Sequence, residues 1–445
     1  MTGGTATAPS ATTRPATALP VPAQVVELDL DRPGGPWRPG FTAPVRPQGS
    51  IVALVRRAGR PLGLVTLPPD ALAPDAFAPD AFAPDAGPDG PRDCAELRRR
   101  LVEAAERDLA TGPPAAAPAP PPAPAPLVSV IVCTRGRPTL LGDSLSALLR
   151  TDYPAAEFLV VDNAPEDDAT ERLVRTLAPG RLRYLREPVP GLSRARNRGL
   201  SAARGEFVAF TDDDALADPG WVSALATAFR TDRRISCVTG LVVPAELDTE
   251  AQAVFERYCG FGKGFTARDW SLRANRRDPL FPFAAGRFGT GANMAFRTSV
   301  IRGIGGFDPA TGAGTPTRGG EDLLAFLRVL VAGHTLGYRP DAVVWHRHRR
   351  TMAALDAQIQ GFGTGLGAYL TAAVTHRPGL LAELLRRLPA GARYTLRRAA
   401  SGPGDAPDPA LARLGRLELR GLCYGPFSYL VSLRQDRRYR AEDWS

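Results

Sequence analysis

Three adjacent carboxylates, Asp212, Asp213 and Asp214, follow the apolar run of residues 207–210 after a single threonine, Thr211. Like charges this close repel, and the end of a buried strand is a costly place for them. A divalent cation offsets both costs; hard oxygen ligands prefer Mg²⁺ or Mn²⁺, whose open positions suit phosphate oxygens. A nucleoside diphosphate group is then a natural ligand. The alternative is an acidic turn in which Asp214 or Asp218 caps a helix starting near Pro219.

Other charged groups recur at element ends. Asp162 follows FLVV and can accept from a base or ribose edge, or close a turn in DNAP. GLSRARNRGL (191–200) puts Arg194, Arg196, Asn197 and Arg198 within one helical turn, which suits an anionic ligand or a solvated basic face. GGED sets Glu321 and Asp322 at a helix start, where the dipole favours ionised carboxylates. Adjacent helical residues point about 100° apart, so only one of the two can face a given ligand. VVWHRH runs as a strand, with His346 and His348 on one face, and a neutral imidazole there can complete a Mn²⁺ shell or be an ordinary surface histidine.

These groups need a scaffold that gathers them. From Leu127, continuous apolar runs (VSVIVCT, FLVVDN, RLRYLRE, FVAFTDDD) alternate with segments of helical spacing. That alternation implies an α/β fold with a mostly parallel sheet covered by helices on both faces. Ligands bind such sheets where the carboxyl ends of the strands emerge. Thr134, Asp162 and the three aspartates all lie just past such ends.

The rest of the 445 residues divides by composition. Residues 1–23 read as a disordered Thr/Ala/Pro tail, and 24–68 as a small β-rich N-terminal module. Residues 69–126 read as a Pro/Ala-rich linker around a short charged helix, its five-residue repeat barred from helix by proline. Residues 127–350 form the α/β domain and 351–445 a helical C-terminal extension. The net charge of +9 is carried almost wholly by arginine, Lys263 being the only lysine. Arginine suits phosphates, carboxylates and anionic lipid heads, although GC-rich coding gives the same bias. Five scattered cysteines without C-x-x-C spacing suggest neither a zinc site nor a disulfide framework. With no apparent signal peptide or membrane span, the reading is a cytoplasmic protein.

The ordered set VSVIVCTRGRP, FLVVDN, GLSRARNRGL, FVAFTDDDA, GTGANMAFR, GGFD, GGEDLLAFLRVL and VVWHRH resembles the family 2 glycosyltransferases with the GT-A fold over residues 127–350. The resemblance implies a nucleotide-sugar-dependent transferase. Thr134 and Arg135 would border the nucleotide base, Asp162 would hold base or ribose, and Arg196 with Asn197 the ribose or diphosphate side. Asp212 and Asp214 match the ends of the family's Asp-x-Asp motif and would both belong to the metal site, Asp214 ahead of Asp212 as the direct ligand. Asp213, a third acid inside that motif, is grouped with Asp212 on the nucleotide-sugar side. His346 would complete the Mn²⁺ or Mg²⁺ site, and Asn293 would order the acceptor side. Asp322 would be the general base, with Glu321 second.

The activity implied is inverting transfer of one sugar to an acceptor hydroxyl of a glycan, lipid-linked or small-molecule acceptor. No Gln-x-x-Arg-Trp motif of processive members occurs. Residues 377–445 carry 13 arginines against 7 acids. Such helices can lie on an anionic membrane at the inner face of the cell, or pack on the domain with a solvated basic face. No nucleic-acid partner is expected. The competing readings are a sugar-phosphate nucleotidyltransferase, disfavoured by the single glycine of CTRGRP, and a non-catalytic nucleotide- or glycan-binding scaffold.

Overall fold

The computed structural model describes residues 21–41, 49–69, 91–109, 125–275, 278–401 and 408–442. Most of the N-terminal tail, the five-residue repeat and most of the Ala/Pro run lie outside them. Strand β1 (Ala23–Asp29) pairs in parallel with β2 (Ser50–Arg57), which pairs antiparallel with β3 (Arg60–Leu67). The helix within the spacer, α1 (Pro91–Asp108), packs Leu97, Leu101, Ala104 and Ala105 on one face of this sheet. Val25, Val52 and Leu54 on the other face meet Leu241, Val243 and Trp345 of the larger domain. Covering β2 from both sides explains why SIVALV is an unbroken apolar run. Arg56, 2% exposed, pairs with Glu27 (3.1 Å) inside the N-terminal sheet and joins the two bodies through Asp218 (2.7 Å).

The α/β domain follows the alternation of the sequence. In order come β4 (Val128–Thr134), α2 (Pro138–Leu148), β5 (Ala156–Asn163), α3 (Ala169–Leu177), β6 (Leu182–Glu187), α4 (Leu192–Ala202) and β7 (Phe207–Asp212). Then follow β8 (Ala215–Ala217), α5 (Trp221–Thr231), β9 (Ile235–Pro244), α6 (Glu250–Cys259), β10 (Arg268–Trp270), β11 (Asn293–Arg297), α7 (Thr298–Gly303), α8 (Glu321–Val331) and β12 (Thr335–His346). The sheet runs β10-β12-β9-β11-β7-β4-β5-β6, with β8 beside β12. Strands β7, β4, β5 and β6 are mutually parallel, as are β9 and β12, while β11 returns antiparallel between β7 and β9.

Side-chain alternation sends successive residues to opposite faces. Ile131, Leu159, Val161, Val208 and Phe210 meet α4, α7 and α8 on one side. Val130, Val132, Phe158, Val160 and Ala209 meet α2 and α5 on the other. Both faces are dry, so the strands can be apolar throughout.

Helices α9 (Met352–His376), α10 (Leu380–Ser401) and α11 (Pro409–Glu442) complete the chain. The glycines of GFGTGLG let α9 and α11 nearly touch: a Cβ on Gly363 would stand 1.9 Å from Glu418 O. Helix α9 also backs the GGED turn. Gly320 has φ +92°, and a Cβ there would lie 2.4 Å from Gly365 O. Among the described residues, no helix is long and apolar enough to cross a membrane. All five cysteines are free thiols.

Candidate active site

Because β4, β5 and β7 are parallel and in register, their carboxyl ends arrive at one edge. Thr134 pairs with Asp162 and Cys133 with Asp212. The strand ends open into a cleft of about 2420 Å³, lined also by residues of α8, α9, α10 and α11.

The three aspartates divide their work. Asp213 accepts from the Thr134 hydroxyl (2.7 Å) and pairs with Arg137 Nη2 (2.8 Å). Burial pushes its carboxyl up to about 6 against the pull of Arg137. Asp213 thus ties β7 to the loop after β4. Asp212 and Asp214 are left for the cleft. One ligand atom from each of Asp212, Asp214 and His346 lies within 4.8 Å of the others.

His346 arrives through a local ladder. Ala215 of β8 pairs antiparallel with His346 of β12, and Arg347 N donates to Asp214 O (3.0 Å). His346 Nε2 then stands 3.2 Å from Asp214 Oδ1. Burial works against charge on Asp214, but His346 and Arg137 outweigh it and hold the carboxyl below its ordinary range. Arg137 Nη1 is 3.1 Å from Asp214 Oδ2.

Behind His346 lies a buried relay. Its Nδ1 is 3.3 Å from His348 Nδ1, and His348 Nε2 is 2.6 Å from Glu256 Oε1. With both rings neutral, Glu256 accepts from His348 Nε2–H, so His348 Nδ1 must accept from His346 Nδ1–H. The lone pair of His346 Nε2 then points at a carboxylate oxygen. Positive charge belongs between them: a proton on Nε2 makes the contact an ion pair, and a divalent cation in its place would meet two carboxylates and one imidazole, a donor set suited to Mn²⁺ or Mg²⁺. The residues fit a divalent cation.

The opposite wall holds a second charged group. Arg196, buried, reaches Glu321 Oε1 (2.9 Å), Asp212 Oδ1 (3.5 Å) and Gly291 O (3.3 Å). Burial pushes Glu321 up to about 7 despite Arg196. Its Oε2 is buried without a hydrogen-bond partner. Asp322 is half-buried at the cleft and accepts from Gly291 N and Leu323 N, both at 2.8 Å.

Two expected positions are corrected. Asn293 is fully buried; its Oδ1 accepts from Trp221 Nε1 (2.8 Å), and its Nδ2 donates to Leu241 O and Ala342 O. It clamps β11, β9 and β12 rather than meeting an acceptor. Asn197 exchanges hydrogen bonds with Phe307 O and Phe307 N (2.8 and 2.9 Å), so its amide holds the GGFD turn, not a ribose.

Asp162 is buried and accepts from the Tyr184 hydroxyl (3.0 Å), while its Oδ1 has no hydrogen-bond partner. Burial raises its carboxyl above the ordinary range. Its neighbour Asn163 lines the cleft, as do Thr134 and the exposed Arg135. Arg137 was missing from the sequence expectations. Its signal was a cation just before Pro138, at the turn from β4 into α2, where it faces the end of β7.

Residues 129–305 match the family model described as glycosyl transferase family 2. The chain is 31% identical over 187 residues to a pre-mycofactocin glycosyltransferase of Mycobacterium tuberculosis, covering 42% of this chain and 36% of that protein. It therefore spans only about a third of that relative's length. It is 27% identical to the succinoglycan biosynthesis protein ExoM of Rhizobium meliloti, over 71% of this chain and 96% of that one. Among solved structures, a mannosyltransferase from Pyrobaculum calidifontis in complex with GDP-Man and Mn²⁺ aligns at TM-score 0.45 and 22% identity, over 69% of this chain and 89% of that one. The likeness to glycosyl transferase family 2 thus covers residues 129–305, about two fifths of the chain.

Proposed function

We propose that the chain is an inverting, divalent-cation-dependent glycosyltransferase that moves one sugar from a nucleoside-diphosphate sugar to an acceptor hydroxyl. The observation that carries this reading is the convergence of Asp212, Asp214 and His346 in the same cleft as Asp322. Those three residues would hold Mn²⁺ or Mg²⁺. When bound, the ion supplies Lewis-acid neutralisation of charge on the departing diphosphate.

The protein's own groups do the rest. Arg137 and Arg196 add fixed positive charge where the leaving group gains negative charge. The unpartnered oxygen of Asp162 would accept from the base or ribose edge, with Arg135 at the rim and Thr134 acting through Asp213. Asp322 takes the proton from the acceptor hydroxyl as its oxygen attacks the anomeric carbon and the nucleoside diphosphate departs. Glu321 is engaged by Arg196 and serves to position it. One displacement inverts the anomeric configuration.

The acceptor class is a glycan, a lipid-linked sugar or a small molecule, and the site of action is the cytoplasm. Release of nucleoside diphosphate from UDP-, GDP- and TDP-sugars, with and without Mn²⁺, tests the reading. Cation-dependent release from at least one donor supports it; no release from any donor would overturn it.

A further inference from the structure

Helix α10 has two apolar sides. Leu380 and Leu384 pack on the domain core, and Arg387 Nη1 donates to Asp278 O (3.0 Å). Turned outward are Leu381, Leu385, Leu388 and Leu396, between 46% and 57% exposed, with Ala392 exposed among them. At about 100° and 1.5 Å per residue, these five positions fall within an arc of roughly 80° along some 22 Å of helix. They form one continuous ridge. Contiguous apolar surface of this kind marks an interaction site.

The charge beside the ridge narrows the partner. Arg386, Arg393 and Arg397 are exposed on its flank. The helix carries five arginines and a single acid, Glu383, in LLAELLRRLPAGARYTLRRAAS. An apolar ridge edged by arginine complements a surface that is apolar below and phosphate-rich above. The ridge also borders the catalytic opening, since its C-terminal part, Leu388, Ala392 and Leu396, lines the cleft together with the flanking Arg393 and Arg397.

The geometry points to α10 as a membrane-docking helix. Its leucine ridge enters the headgroup–acyl boundary of an anionic phospholipid bilayer, its arginines meet lipid phosphates, and the mouth of the cleft is brought to the lipid surface. This docking stands apart from the sugar-transfer reading, and its test uses no donor or acceptor.

The full chain is co-sedimented with phosphatidylcholine vesicles, with and without phosphatidylglycerol, at low and high salt. Partition onto the anionic vesicles is expected to exceed that onto neutral ones at least tenfold at low salt. The pair Leu381→Glu and Leu385→Glu, neither lining the cleft, is expected to lower it at least tenfold with unchanged melting temperature. Should that pair fail to fold, Leu385→Gln alone is expected to lower it at least threefold. Phe427→Glu, in a separate exposed patch on α11, is expected to bind like the unmodified chain. No sedimentation with anionic vesicles at either salt, full binding by both ridge variants, or loss confined to Phe427→Glu would overturn the proposal. So would a concentration-dependent dimer that the ridge variants dissolve, because the ridge would then cover a second copy.

Discussion

His346 Nε2 lies 3.2 Å from Asp214 Oδ1, although one residue ends the last strand of the sheet and the other follows β7. The contact exists because three residues after the acid triplet turn back as β8 and pair with the end of β12. A short antiparallel ladder thus joins the two halves of the proposed cation site. Asp218, just past that ladder, is held by Arg56 from the N-terminal module.

Asp322→Asn tests the assignment of the base. The amide keeps the shape and an oxygen acceptor but cannot take a proton. Turnover is expected to fall by roughly 10²–10⁴-fold, with nucleotide affinity unchanged. Glu321→Gln is the comparison, expected to alter affinity more than the proton-transfer step. Equal turnover in Asp322→Asn and the unmodified chain would remove Asp322 from the role.

Glu256 does not reach the cleft acids, yet it orients His348, which orients His346. Glu256→Gln can present its amide N–H to His348 Nε2 and invert the tautomer chain. Mn²⁺ affinity is expected to drop by roughly 10–100-fold. Titration calorimetry with the metal alone reads this directly, and Glu256→Asp should recover part of the loss.

The carboxyl of Glu321 is pushed up to about 7 in the fold, from 4.5 in the open chain. Between those values the folded protein holds a proton that the unfolded one has released. Stability from this group is therefore full below about pH 4.5 and declines as pH rises through 7. Denaturant melts from pH 5 to pH 8.5 should show the unmodified chain losing stability relative to Glu321→Gln. A constant difference would show that Glu321 does not titrate there.

Much of this arrangement is legible in the sequence because strands buried on both faces must be apolar throughout, and such runs announce themselves. Their ends then mark where polar groups gather, which is why Thr134, Asp162 and residues 212–214 stand out. What escaped was long-range hydrogen bonding. Asn293 and Asn197 sit in segments that resemble binding loops, yet each amide is engaged by groups of distant elements, the Trp221 indole and strand carbonyls for Asn293 and the Phe307 backbone for Asn197. Arg137 escaped for the converse reason: its role depends on the close approach of β7, which the local sequence around CTRGRP does not encode. The packing of α1 on the N-terminal sheet, and of GFGTGLG on α11, likewise depends on partners remote in the chain.

The central claim is that Asp214 and His346 share one divalent ion. Electron paramagnetic resonance of free and bound Mn²⁺, with and without nucleoside diphosphate, tests it most directly. One site per chain is expected, weakened at least tenfold in both Asp214→Asn and His346→Ala and retained in the control Asp232→Asn, a surface acid paired with Arg234. Unchanged Mn²⁺ affinity in both cleft variants would contradict the account.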